Sequence, residues 1–122
     1  DRRIKTDIRD VADASATVMK LRPVVFRYTD EWRRRNPGIA DRDYHNFIAQ
    51  EYAEVFPHAV KGSGEYLEGD PDQILQIDTY DAQVVTIKAV QELIRENRAL
   101  RAEMKELRET LNRMAPARNS LD

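Results

Sequence analysis

Cysteine is absent from the chain, which excludes disulfide staples, thiolate nucleophiles and sulfur-ligated metal centres together. A protein made in a reducing cytoplasm accounts for that absence without further assumption. No apolar run approaches the roughly 20 residues that span a bilayer, and no charged-then-apolar leader precedes a small-residue cleavage site. A soluble domain without a membrane partner is therefore expected. A surplus of one charge sign is lacking too: 20 Lys and Arg stand against 22 Asp and Glu, a net charge of −2, so no global field draws the chain to nucleic acid. Gly-x-Ser-x-Gly elbows and phosphate loops are missing, and Ser15, Ser63 and Ser120 have no base at a motif spacing. His45 and His58 lie 13 residues apart with no Cys to complete a metal site, so they read as surface or packing residues. No metal or cofactor is expected.

What is present suits one domain: 122 residues, 41% hydrophobic and 34% charged. A monomer of this size buries roughly two-thirds of its unfolded surface, which leaves little reserve. Along the chain, Asp10 or Asp13 is a candidate cap for a helix through Ala14, Val18, Met19 and Leu21, closed by Pro23. Val24–Tyr28 has the β-branched and aromatic content of a short strand, and Tyr44–Ile48 forms a second apolar stretch. A brief helix from Ala49 ends at Pro57. Between these, Thr29–Asp43 is highly charged and carries Asn36-Pro37-Gly38, which predicts an exposed loop or extended hairpin arm. Its Arg33-Arg34-Arg35 triplet, flanked by acids, reads as a solvated face more readily than as a nucleic-acid patch. Lys61–Glu65 is predicted to be a flexible turn of a hairpin or a loop ordered on assembly.

The last third has the clearest pattern. Val90, Leu93, Asn97, Leu100, Met104, Leu107, Leu111 and Met114 follow alternating steps of three and four, a heptad seam with Val90, Asn97, Met104 and Leu111 at a. Leu93, Leu100, Leu107 and Met114 fall at d. Glu96 and Glu103 at g then pair with Arg101 and Arg108 at e of a parallel neighbour, and Asn97 is the single polar seam residue that sets register. Met and Leu at a leave two and three strands both open. Upstream, Val84, Val85, Ile87, Ala89 and Ile94 widen the stripe, which predicts that this part packs on the chain's own head. A helix from Thr79 to Met114 would be about 50 Å long, with Pro116 closing it.

Three blocks together carry a resemblance: Asp1-Arg2-Arg3-Ile4-Lys5-Thr6-Asp7-Ile8, Leu21-Arg22-Pro23-Val24, and Phe47-Ile48-Ala49-Gln50-Glu51. From Asp1 to about Leu93 the chain resembles the C-terminal intramolecular chaperone domains of phage tailspikes, endosialidases and tail fibres, the peptidase S74 family. Asn46 stands where that family usually has a small residue, often Gly, a departure that touches a backbone turn. The resemblance implies self-cleavage of a precursor between a serine and Asp1, with Lys5 completing a Ser-Lys dyad. The chain, starting at Asp1 without the serine and so expected to be inactive, would then be either the released product or a chain cut at the same bond by design. Beside Arg2 and Arg3, Lys5 alone would read as a solvated charge. A lysine becomes a general base only when burial or neighbouring positive charge lowers its pKa. Gln50 and Glu51 are candidates for hydrogen bonds to the cleavage segment or for support of the assembly.

The fold expected is α+β: a head at 1–78 with polar arms or hairpins near 30–43 and 61–70 that contact the client, a long helix at 79–115, and a frayed tail at 116–122. The resemblance further implies a parallel homotrimer that folds the upstream fibre or tailspike of its own precursor. It would act in the cytoplasm of an infected bacterium and be absent from the mature virion. Two other readings are a non-enzymatic trimerisation module and the autoprocessing domain of a membrane-tethered transcription factor. The residue before Asp1 separates the first of these, and the upstream domain separates the second.

Overall fold

The computed structural model describes residues 1–115 and is of mixed α/β class, with two small antiparallel sheets and a long C-terminal helix. Pro116 and the tail predicted at 116–122 lie outside the described residues. After a single 3₁₀ turn at Arg2–Ile4 come helix α1 (Ala14–Met19), strand β1 (Val24–Phe26), helix α2 (Asp30–Arg35), strand β2 (Tyr44–Asn46) and helix α3 (Ala49–Val55). A 3₁₀ turn at Pro57–Ala59 leads into strands β3 (Val60–Tyr66) and β4 (Gln73–Ile77), then helix α4 (Tyr80–Met114). β1 pairs with β2 in the register Val24 to Asn46 and Phe26 to Tyr44, while β3 pairs with β4 from Val60 opposite Ile77.

Asp13 does stand at the N-cap of α1, but its side chain caps nothing. It takes a left-handed φ of 53°, a conformation aspartate tolerates. The open first turn of α1 is satisfied from α4, where a Glu92 carboxylate oxygen accepts from the Ser15 backbone N–H at 3.1 Å and from the Ser15 hydroxyl. That contact holds the Glu92 carboxyl below the usual range, chiefly through the Ser15 hydrogen bond. Ser15 is thus a tether between helices.

The predicted arm at 30–43 is corrected in its first half, because Asp30–Arg35 is helical. Thr29 Oγ1 accepts from Trp32 N at 3.2 Å, Asp30 and Glu31 occupy the first turn, and three arginines occupy the last. Acid at the start and base at the end both favour the helix dipole. Arg33 pairs with Asp30 and, at 3.5 Å, with Asp41. Arg35 lies over the Trp32 ring and donates to the Tyr66 carbonyl at 2.6 Å, tying α2 to the end of β3.

The predicted turn at Lys61–Glu65 is also corrected: those residues belong to β3, and the hairpin turns at 67–72. The two glycines serve a bulge. Gly64 has φ 82°, its N–H is accepted by Gln73 Oε1 at 2.9 Å, and that same amide occupies the space a Cβ at Gly62 would need. The true turn uses Gly69 at φ 77° and Asp70, whose carboxylate accepts from Asp72 N at 2.9 Å.

The core is small. Among the described residues, the buried side chains are Ala14, Tyr52 and Ala82. Tyr52 packs between Phe47 and Phe56, with ring centres 5.1 and 5.4 Å away, and its hydroxyl donates to the Asp78 carbonyl at 2.9 Å. It therefore pins α3 to Asp78, two residues before α4. A second aromatic cluster, Phe26, Tyr28 and Tyr44, covers β1 and β2. A folded monomer of 14.2 kDa is expected to expose about 6,800 Å², whereas this chain exposes 10644 Å². About 3,900 Å² more surface is therefore in water than a closed domain of this mass would expose.

Candidate functional site

The amino-terminal segment is built by its own short-range contacts. The Asp1 carboxylate caps the 3₁₀ turn by accepting from Arg3 N at 2.8 Å, and it also holds the Arg3 guanidinium with a shortest distance of 2.6 Å. Ile4 N donates to the Asp1 carbonyl at 3.3 Å and Lys5 N to the Arg2 carbonyl at 3.2 Å. A 3₁₀ turn advances about 2 Å per residue, against about 3.5 Å for an extended chain. The turn thereby shortens the path from Asp1 to Lys5. Arg3 is turned to Asp1, with which it pairs. Residues 1–10 are exposed throughout, and their hydrogen bonds stay within the segment. The first buried residue is Ala14.

The other two blocks of the sequence meet in space. Arg22 and Glu51 form a bidentate ion pair across 29 residues, with Nε to Oε1 and Nη2 to Oε2 both at 2.6 Å. Hydrogen bonding to Arg22 holds the Glu51 carboxyl below the usual carboxylate range. The planar fork of arginine matches a carboxylate in this way, and lysine would not. The pair ties the segment entering β1 to the first turn of α3, a role for Arg22 that sequence reasoning missed. No local spacing announces a contact between residues so far apart. Gln50 is exposed and lines a shallow depression with Phe26, Thr29 and Ile77. Asn46 has an ordinary negative φ, and its side-chain oxygen accepts from Phe47 N at 2.8 Å, so the usual small residue is not required here.

Along α4 two faces separate. Ala82, Val85, Ala89 and Glu92, spaced three, four and three apart, form the recessed face against which α1 packs. Val84, Ile87 and Ile94 were expected to be covered as well and are instead exposed, because a six-residue α1 covers only one stripe. Beyond the head the seam is bare: Val90 is 47% exposed, Leu93 62%, Leu100 58%, Met104 59%, Leu107 60%, Leu111 57% and Met114 75%. Asn97 lies within this row and is exposed too. Seven large apolar side chains on one helical stripe, each about half or more in water, form an exposed apolar face.

Among the described residues no group of His, Asp and Glu is placed to hold a metal ion, and no helix is long and apolar enough to cross a membrane. His45 stands on β2 beside α4, and His58 lies in the 3₁₀ turn after α3. The family model of peptidase S74, described as chaperone of endosialidase, matches residues 1–61. The match takes in Asp1, Lys5 and the Arg22–Glu51 pair and ends within β3, short of the seam. No curated protein shows significant similarity to the chain.

Proposed function

The chain belongs to the peptidase S74 family, the chaperone of endosialidase, and from that premise we propose that it trimerises through α4, aligns the upstream part of its precursor, and is then released by self-cleavage before Asp1. The observation that carries this reading is the bare seam of α4. Its matched Glu96–Arg101 and Glu103–Arg108 flanks favour parallel chains, and parallel chains bring three upstream segments out at the same end. Interwound β fibres fold slowly through non-local, interchain pairing. A trimer joined to their ends supplies alignment and effective concentration. The β3–β4 hairpin with its turn at 67–72, and the α2–β2 connection, are the parts positioned to touch such a client.

The cleavage step applies to a chain carrying a serine directly before Asp1. Neutral Lys5 removes the proton from the serine hydroxyl, and the serine oxygen attacks the carbonyl carbon of the serine–Asp1 bond. The C–N bond breaks as Lys5 returns the proton to the departing Asp1 nitrogen. Water then opens the resulting ester, a β-lactone closed within the serine itself, leaving an upstream serine carboxylate and a free Asp1 amine. The 3₁₀ turn supports this reading, since it shortens the path between Lys5 and the bond.

In such a precursor, Lys5→Ala should give an assembled but uncut product on a denaturing gel. Lys5→Arg should remain uncut as well, because a guanidinium does not lose its proton near neutral pH. Normal processing of both variants would remove Lys5 from the chemistry.

A further inference from the structure

The segment that carries Lys5 is the part of the chain least able to work alone. A lysine serves as general base when it is taken out of water, yet every residue from Asp1 to Asp10 is exposed. Two of them are large and apolar: Ile4 is 83% exposed and Ile8 62%, bracketing Lys5. Among the described residues nothing covers them.

A matching vacancy lies on the body. Between the β1–β2 pair and the first turns of α4 runs an open groove of about 740 Å³, walled by Pro23, Val24, Val25, Phe47 and Ile87 among others. Val25 is 58% exposed and Ile87 61%. The α4 wall is formed by Ala82, Gln83, Thr86 and Ile87, of which the last three continue positions a, d and e of the seam toward the head. That wall therefore faces the side on which a parallel neighbour stands. The chain's own lead segment joins the body at Ala14, where α1 packs on the adjoining face of α4 around Val85, Ala89 and Glu92, with Ala82 at the border of the two faces.

We infer that the lead segment of one copy docks into this groove of the neighbouring copy, with Ile4 and Ile8 seated against Val25 and Ile87, and that the dyad is completed only in the assembly. The inference rests on the assembly proposed above. Reach permits it: the stretch from Ala14 back to Lys5 extends to about 30 Å at most, while packed helices stand 8–10 Å apart axis to axis. Seating both isoleucines brings Lys5 against the neighbour's surface, which supplies the desolvation its own chain lacks. Cleavage then reports on assembly by construction, since a lone chain has no groove to offer in trans.

The absence of native cysteine makes the test direct. Chains carrying Ile8→Cys with Val25→Cys, and separately Ile4→Cys with Ile87→Cys, are oxidised and run on a non-reducing denaturing gel, with each single-cysteine variant as control. Trans docking predicts covalent dimers and trimers in at least one double variant and none in the controls. An intrachain bond alone, or no bond in a preparation that sediments as an oligomer, overturns the inference. Sedimentation as a monomer would instead bring down the assembly reading, so the two failures are distinguishable. In a precursor with serine before Asp1, Ile8→Asp should slow self-cleavage about tenfold or more with the oligomer retained. Unchanged cleavage overturns the inference, whereas Lys5→Ala separately reads the chemistry.

Discussion

Tyr52 is the residue on which the joint between head and helix depends, and its hydroxyl and ring can be tested apart. Tyr52 is 1% exposed, donates to the Asp78 carbonyl at 2.9 Å, and is flanked by Phe47 and Phe56. Tyr52→Phe keeps the ring and removes one buried hydrogen bond, leaving the carbonyl without its donor, at a cost of about 1–2 kcal/mol. Tyr52→Ala removes the ring and opens a cavity, at about 3–5 kcal/mol. Against a total stability of about 5–15 kcal/mol, the second loss is a large share of the whole. At roughly 5 °C per kcal/mol for a domain near this size, Tyr52→Phe should lower Tm by about 5–10 °C, and Tyr52→Ala should leave little folded head at 37 °C. The assay is thermal melting followed by near-ultraviolet circular dichroism at one fixed protein concentration, because association makes Tm concentration-dependent. Burial holds the Tyr52 hydroxyl above its ordinary pKa of 10.0. A pKa raised on folding contributes stability below the unfolded value that is lost as pH rises through the folded one. Wild type should therefore lose more stability than Tyr52→Phe above about pH 10. A Tyr52→Ala variant that melts within a degree or two of wild type would refute the assignment of the core.

Other perturbations follow from the same geometry. Because Arg22 holds the Glu51 carboxyl low, the pair contributes stability above the ordinary carboxylate pKa of 4.5 and loses it as pH falls; a double-mutant cycle with Arg22→Ala and Glu51→Ala should show coupling at pH 7 that shrinks at pH 3 and in high salt. Equal coupling at both pH values would show that the pair is held by something other than charge. Gly62→Ala should destabilise the hairpin by crowding Gln73, and Gln73→Ala should recover part of that loss; additive melting shifts would show that the bulge is not built on this contact.

The long helix was legible because eight positions in strict three–four alternation admit no other regular structure, and the brief helix at Ala49 because Pro57 punctuates its end. Helix α2 was misread for a physical reason: its charges look like a loop by composition, and the signal lay in their order, with a threonine cap, acids first and bases last. Strand β4 escaped notice because Gln73-Ile74-Leu75-Gln76-Ile77 is short and its pairing with β3 is specified by a bulge. The Gly62 and Gly64 pair was read as a turn since glycine marks both, and only the Gln73 amide tells them apart. Arg22 and Glu51 could not be joined from the sequence, as their meeting depends on how β1 and α3 pack. The same holds for the face of α4 that α1 covers.

The most direct measurement is sedimentation equilibrium of residues 1–122 at tens of micromolar, a range in which modest coiled coils associate, beside the variant carrying Leu100→Asp and Leu107→Asp. The account predicts the mass of three chains for the wild type. For the variant, whose carboxylates would be buried in the seam, it predicts the 14.2 kDa of one. A wild-type mass of one chain, or a variant that stays assembled, would contradict it.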